Sequence, residues 1–585
     1  MGMDIRQTTG HVFIMRGSLT ELACDAWLLP CDSEKRITSD KWIANDDRLR
    51  VGDADSSGYF PLHISQPSTS WEEGSRSIPV TEDSPTLPTP WLTDTAIDGS
   101  ASIQERVTDL GLRLGAFLSR ATEHYQDKPR LYGRARHLFA IPLIGSGEGG
   151  GAQFKGQLCR TVVQVLHEFC NSNPIDVALV MDDDQSFAAA QRARDALLRI
   201  PDFETIDATT FAISIRANWR LSKPEMVDAA INRAKEARQG KLVIFAGAGL
   251  SGAAGLPDWD ELLVDLAKQA GIKDEVGLGD FQSLDVVDRA HVVSEKMAIS
   301  NLQKTVSTKL ISNHYGLGNG LIASLRLSEM VTTNYDTLIE RADKAATKDG
   351  EAALSVLPNN RSDRPARWLL KLHGCITKPA SIVITREDYI RYEVGRGALA
   401  GVVQSLLLTR HMLFIGFSLR DENFHRIVDG VRRSVLFGED SQSTSDQGAS
   451  ETQGTTEQPF GTSIHLFDMP FMKEIWHGDV NPLGVLDSSP KGSKEEQRFA
   501  SAEPARECEI FLDLLVSLST DHRAHLMDET FDVETLSPEE NQIRSSLLEL
   551  VKSLSKGDPD ALALESASAE TIREMLHGFG WNAKS

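Results

Sequence analysis

At 585 residues, with 41% hydrophobic and 25% charged positions, the chain has ordinary globular composition and exceeds a single core, so two to four domains are expected. Its 61 basic against 84 acidic residues give a net charge of -23, which argues against direct nucleic-acid binding through a basic face. The six cysteines include no C-x-x-C pair, the first residues carry no signal pattern, and no apolar run reaches bilayer length, so a disulfide scaffold, a zinc ribbon and a membrane span are not expected and the chain reads as soluble and cytoplasmic.

Residues 1–220 alternate strand and helix patterns and read as an α/β domain. HVFIMRGSLTELACDAWLLP holds two strand-like runs around a polar turn. A Ser/Pro/Thr-rich stretch over 53–100 reads as loop, Ile103 to Tyr125 as helix, and HLFAIPLIGSGEGGG as a strand running into glycines. A helix over 156–170 and a strand over 176–181 follow. Ser222 and Glu225 predict a capping box around Pro224, and Gly240 a C-terminal cap. Over 221–495 the strands KLVIFAG, EMVTTNYD, WLLKLHG and HMLFIGFS alternate with helices, which predicts a Rossmann-like parallel sheet with ligands at the strands' carboxyl ends. Within it, residues 436–462 are rich in Ser, Thr and Gln and read as a disordered insertion, after which SIHLFD resumes as a strand. Residues 496–585 read as a helical C-terminal appendage.

FAGAGLSGAAGLPDWDELL crosses from a buried strand through glycines and Pro257 into a helical pattern. Free N–H groups at such a turn attract phosphate; Gly247 and Gly249 would let the main chain approach a pyrophosphate, and Ser251 would add a hydroxyl donor. A tight turn with no ligand explains the glycines equally well. The P-loop lysine is missing, since Leu250-Ser251 stands where G-K-[ST] would be, so ATP hydrolysis through that motif is not expected.

GAGLSGAAGLPDW, TTNYD, KLHG and GFSLRDEN then occur in that order at spacings suited to βα units. With these four motifs the chain resembles the sirtuin superfamily, in particular its bacterial sirtuin-like NAD hydrolases. The resemblance implies that Gly247, Ala248, Gly249, Ser251, Pro257 and Asp258 cradle the pyrophosphate of NAD and shape its nicotinamide end. It implies that Asn334 and Asp336 orient the nicotinamide ribose and the attacking water, that His373 is the general base, and that Gly416 and Ser418 meet the phosphates or the adenosine ribose. The residue types suit the chemistry: departing nicotinamide leaves an oxocarbenium-like ribose, an asparagine positions it, and a histidine titrates near neutral pH. Asp421 and Asn423 have an equally good reading as helix N-caps, and TREDY over 385–389 reads as a helix start.

Protein-deacylating sirtuins carry a four-cysteine zinc ribbon between the H-G and later glycine motifs, where this chain has only Cys375, and Trp259-Asp260 replaces their Phe-Arg. The resemblance therefore implies hydrolysis of NAD to ADP-ribose and nicotinamide without zinc, by a toxic effector of bacterial antiphage defence. An NAD-dependent protein deacylase and a catalytically silent nucleotide-sensing or assembly module are the alternatives. A homo-oligomer and a DNA-translocating ATPase partner of the HerA type belong to the same implied setting. RGSLTELACDAWLL resembles the opening of a macro domain, and the loop at 145–151 lies where macro domains hold the phosphates of ADP-ribose. Ser18 and Pro30-Cys31-Asp32 depart from that pattern, so a degenerate macro-like scaffold and a nucleotide sensor both stay open.

Overall fold

The computed structural model describes residues 9–37, 48–49, 60, 76–81, 83–146, 150–201, 207–273, 275–348, 352–359, 366–439, 459–489, 491, 494–531, 536–554 and 567–581. The chain divides into two compact units, Met1–Arg220 with Thr520–Ser585, and Leu221–Ser519.

The first unit contains β1 (Val12–Arg16), β2 (Ala26–Cys31), β3 (Ser77–Pro79), β4 (Thr89–Asp94), α1 (Ile103–Tyr125), β5 (His137–Pro142), α2 (Lys155–Ser172), β6 (Ile175–Met181), α3 (Asp184–Leu198) and α4 (Ala208–Trp219). Its sheet runs β1-β6-β5-β2-β4-β3, with every pair parallel except β3 against β4. β5 and β6 are buried along their whole length, which is why they read as unbroken apolar runs. Helix α1 opens on a Ser102–Glu105 capping box and buries Leu110, Leu114, Phe117 and Leu118. The stretch expected as loop over 53–100 contains β3 and β4. Its polar composition hid them: Ser77 and Thr93 satisfy one another across the pair at 2.9 Å, so hydroxyl residues occupy a buried strand. In the glycine loop after β5, Gly147 and Gly149 lie outside the described residues.

The second unit contains α5 (Pro224–Arg238), β7 (Leu242–Ala246), α6 (Trp259–Gln269), α7 (Glu275–Ser283), α8 (Val286–Met297), α9 (Ile299–Lys309), α10 (Leu317–Ser324), β8 (Glu329–Thr332), α11 (Leu338–Ala346) and β9 (Ser355–Leu357). It continues with β10 (Trp368–Lys371), α12 (Arg386–Ile390), α13 (Tyr392–Thr409), β11 (His411–Ile415), α14 (Glu422–Glu439), β12 (Gly461–Phe467), α15 (Met472–Ile475), β13 (Val480–Leu486) and α16 (Lys494–Ser519). The strands form one parallel sheet in the order β13-β12-β11-β7-β8-β10-β9. From β7 the chain passes to one side of the sheet, and from β11 to the other. The strand order therefore reverses between β7 and β11, and the carboxyl ends at such a switch point are the place where parallel sheets bind ligands. Beneath it, Phe245, Phe414, Phe417 and Phe424 pack with ring centroids 4.6 to 6.2 Å apart and fix the strand ends and the start of α14.

Three boundaries differ from expectation. Ser222 forms no capping box with Glu225; its Oγ donates to Glu507 Oε2 of α16 at 2.5 Å, and Lys223 is the cap position, with Pro224 in the first turn. A buried carboxylate on a distant helix thus wins over the local one. The insertion expected over 436–462 is shorter at both ends, because α14 continues to Glu439 and β12 begins at Gly461; residues 440–458 lie outside the described residues. The helical stretch expected as one appendage divides between the units. Helix α16 packs on α5 and α10, whereas α17 (Pro538–Leu554) and α18 (Ala567–Gly578) belong with the first unit.

Candidate active site

Four of the sheet's parallel strands, β7, β8, β10 and β11, carry the site at their carboxyl ends. After β7 the chain turns through Gly247, which is buried, and exposed Ala248 and Gly249. The N–H groups of Gly247 and Gly249 donate to Ile415 O and Gly416 O, each at 2.9 Å, so this loop is stitched to the one after β11. The fit is close. A Cβ on Gly247 would lie 2.4 Å from Gly416 O and 2.6 Å from Phe417 Cα, and Gly416 itself has φ +66. The glycines expected to admit a pyrophosphate thus first admit one another's backbone.

Asn334, on the turn after β8, is held by three hydrogen bonds. Its N–H donates to Thr332 Oγ1 at 3.0 Å, and its Nδ2 donates to Gly247 O at 3.0 Å and to Ser251 Oγ at 3.1 Å. Ser251 Oγ in turn donates to Asp336 Oδ2 at 2.7 Å, and Asp336 Oδ1 accepts from Leu338 N at 3.1 Å. Ser251, Asn334 and Asp336 are all buried, and they form one chain in which the serine hydrogen is spent on Asp336. Among the described residues Asn334 Oδ1 has no hydrogen-bond partner. A buried amide oxygen whose nitrogen is fully engaged is fixed in direction and presents an acceptor.

His373 follows β10. Gly374 beside it has φ +93, and a Cβ there would meet Ser381 O at 2.1 Å, so the H-G pair is a requirement of the chain crossing at that point. The imidazole is buried, with Tyr389 and Tyr392 packed edge-on at centroid distances of 5.6 and 5.8 Å. Its Nε2 has no hydrogen-bond partner among the described residues and stands 3.6 Å from Asp421 Oδ2. Burial, and more weakly Arg396, hold the imidazole below the usual histidine range against the opposing pull of Asp421, so it is neutral near pH 7.

Not all the expected residues join this network. Asp258 is exposed and caps α6 in a box with Glu261, its Oδ1 accepting from Glu261 N at 2.8 Å. Pro257 precedes it half-buried, and Ser418 is exposed. Trp259 packs edge-on against Tyr335 at 5.6 Å, and Asp260 pairs with buried Arg289 at 2.5 Å.

Other residues carry more than the sequence reading assigned to them. Lys371, fully buried at the end of β10, donates to Asp336 O and pairs with Glu340 at 2.8 Å, fixing the turn that holds Asn334. Thr332 accepts from Asn334 N while its hydroxyl donates to Ala246 O at 2.9 Å. Both lie inside quoted motifs, and only their unbroken burial could have marked them. Asp421 does cap α14, accepting from Phe424 N at 2.9 Å, but its second oxygen faces His373. Asn423 is buried with neither amide atom hydrogen-bonded. Among the described residues no group of three or more His, Cys, Asp or Glu is placed to hold a metal ion.

A protein-family model described as a SIR2-like domain matches residues 328–439, which includes Asn334, Asp336, His373 and the loop after β11. The chain is 32% identical over 211 residues to the NAD(+) hydrolase ThsA of Enterococcus faecium, covering 34% of this chain and 42% of that protein. It is 28% identical over 205 residues to the NAD(+) hydrolase ThsA of Bacillus cereus (strain MSX-D12), covering 34% and 41%. The Defense-associated sirtuin 2 of Bacillus subtilis is 25% identical over 205 residues, covering 34% of this chain and 20% of that protein. The chain thus spans about two-fifths or less of these relatives' length. Residues 328–439 of the second unit thus match a SIR2-like domain, in agreement with the motif order and the parallel sheet.

Proposed function

We propose that the second unit hydrolyses NAD to nicotinamide and ADP-ribose, as the toxic effector of a bacterial antiphage defence system acting in the cytoplasm. The observation that carries this reading is the pair of buried atoms without hydrogen-bond partners, Asn334 Oδ1 and His373 Nε2, at the carboxyl ends of neighbouring strands β8 and β10. Buried polar atoms of this kind call for a partner; a ribose hydroxyl supplies one for Asn334 Oδ1, while Asp421 Oδ2 faces His373 Nε2 from 3.6 Å. In this reading Asn334 holds the nicotinamide ribose, and Ser251 and Asp336 keep the asparagine in place. Neutral His373 takes a proton from a ribose hydroxyl or from water as the nicotinamide bond breaks. Gly247, Ala248, Gly249, Gly416 and Ser418 would line the pyrophosphate end. The names of the similar proteins, NAD(+) hydrolase and defence-associated sirtuin, support the same activity.

Asn334→Ala and His373→Ala should each lower nicotinamide release by about 10²- to 10⁴-fold while leaving the chain folded. Chromatography of the products after incubation with NAD checks this, and turnover retained in both variants overturns the assigned site. Acyl transfer from an acyl-lysine peptide would instead favour the deacylase reading. An enzyme that destroys NAD requires restraint, so we include in the proposal a homo-oligomer, a HerA-type ATPase partner and a degenerate macro-like first domain. Light scattering, co-purification and titration of the full chain with ADP-ribose, against a variant altered at Gly145 and Gly151, test these in turn.

A further inference from the structure

We propose that Asp421 is a positioning residue for His373, joining the start of α14 to the general base through one carboxylate. The inference rests on the functional reading above and goes beyond it in assigning work to a residue whose position alone marks it as a helix cap. The two oxygens of Asp421 face different partners. Oδ1 accepts from Phe424 N at 2.9 Å, the ordinary capping bond. Oδ2 accepts from Tyr389 Oη at 3.3 Å and stands 3.6 Å from His373 Nε2. Tyr389 also lays its ring edge-on to the same imidazole, so the half-buried phenol and carboxylate and the buried histidine form one cluster drawn from α12, the β11–α14 loop and the end of β10.

The physical need for the carboxylate follows from the pocket. An imidazole enclosed by aromatic rings is a poor site for positive charge, and proton uptake creates such a charge. The groups facing it are few: Asp421, Tyr389 and Tyr392, the guanidinium of Arg396 on α13, and Tyr335 beyond Tyr389. Arg396, which donates to Leu372 O at 2.8 Å, opposes protonation. Asp421 is the one acidic group among them that favours it. When His373 takes a proton from a ribose hydroxyl or water at its other ring nitrogen, the charge lies on the imidazole, and closure of the 3.6 Å gap by about 0.7–0.9 Å would complete a charge-assisted hydrogen bond from Nε2 to Asp421. Tyr389 holds the carboxylate at that distance.

The test separates capping from positioning, since asparagine caps a helix as well as aspartate does. Asp421→Asn should keep the wild-type melt, lower kcat for NAD cleavage by about tenfold or more with little change in KM, and shift its acid limb to lower pH. Asp421→Ala should lose the cap as well and melt lower. Tyr389→Phe should give a smaller loss of kcat with the same direction of shift. In parallel, the titration midpoint of His373, read by deuterium exchange at the imidazole C2 position with mass spectrometry, should fall in Asp421→Asn. An unmoved midpoint, or a wild-type pH profile in Asp421→Asn, overturns the proposal. If the wild-type protein releases no nicotinamide, the functional reading falls, and the midpoint alone then decides whether Asp421 governs His373.

Discussion

The glycines of the first loop illustrate how one residue type answers to two demands. Gly247, Gly249 and Gly416 suggest room for phosphate, yet the closest atoms to a Cβ at Gly247 are backbone atoms of Gly416 and Phe417. Backbone cannot swing aside as a long side chain can. Gly247→Ala should therefore cost about 1–3 kcal/mol of stability by overpacking, and it should remove NAD cleavage by displacing the carbonyl that Asn334 Nδ2 holds at 3.0 Å. Denaturant unfolding and nicotinamide release measure the two effects. Full activity in a variant of normal stability would mean that the loops separate more easily than their 2.9 Å hydrogen bonds suggest. Ala248, exposed and outside this contact, should accept Ser without the loss of stability.

Between elements, the latch formed by Lys371 of β10 and Glu340 of α11 decides where the asparagine turn sits. The ammonium is fully buried; burial works against its charge, but Glu340, Cys375 and Asp336 outweigh it and raise its affinity for the proton. Burial raises the proton affinity of the Glu340 carboxyl as well, with Lys371 opposing. A pair of this kind contributes little net stability over an apolar replacement, but breaking it leaves one charge without its partner. Lys371→Met should thus cost about 3–5 kcal/mol, and Lys371→Met with Glu340→Leu should recover much of that loss. A double-mutant cycle by denaturant unfolding tests it, and strict additivity of the two changes would contradict the latch. The double variant should still cleave NAD slowly, because Asp336 O loses its donor and the turn loses its anchor.

At the scale of the molecule, neutral histidines, His525 buried and His411 and His465 half-buried, shape the acid side of stability. Burial first, then Arg233, takes His411 to about 3; burial, then Arg420, takes His465 to about 4; burial, then Arg192 and His522, takes His525 to about 4 against Asp528. All three lie below the ordinary 6.5, so between those values and 6.5 the unfolded chain binds more protons than the native one. Their contribution to stability is present above pH 6.5 and is lost as the pH falls through that window. His465→Gln should flatten the fall in denaturant midpoint between about pH 6.5 and 4, whereas an unchanged slope would count against a neutral His465. The division of the chain makes a second expectation. Truncation after Ser519 removes the part of the first unit that supplies Glu540 to Arg192 and Thr530 O to Gly156 N. Calorimetry should show the first unit's transition lowered and the second unit's retained.

Period and spacing alone determined a good deal here: that strands and helices alternate, that β7, β8, β10 and β11 end in polar or small residues, and that Asn334, Asp336 and His373 follow strand ends in one order. Those features are local, and a strand buried on both faces writes itself as an apolar run. Tertiary structure alone decided the rest, because it depends on groups far apart in the chain. Ser222 left Glu225 for Glu507 because the distant carboxylate is buried and has the better geometry. β4 hid in a Pro- and Thr-rich stretch because its hydroxyls are paired across the sheet. The helical tail divided because an apolar stripe requires a surface to cover but does not specify which unit provides it. Asp421 read as a cap and is one, yet only the placement of the loop after β11 near the end of β10 brings His373 to its other oxygen.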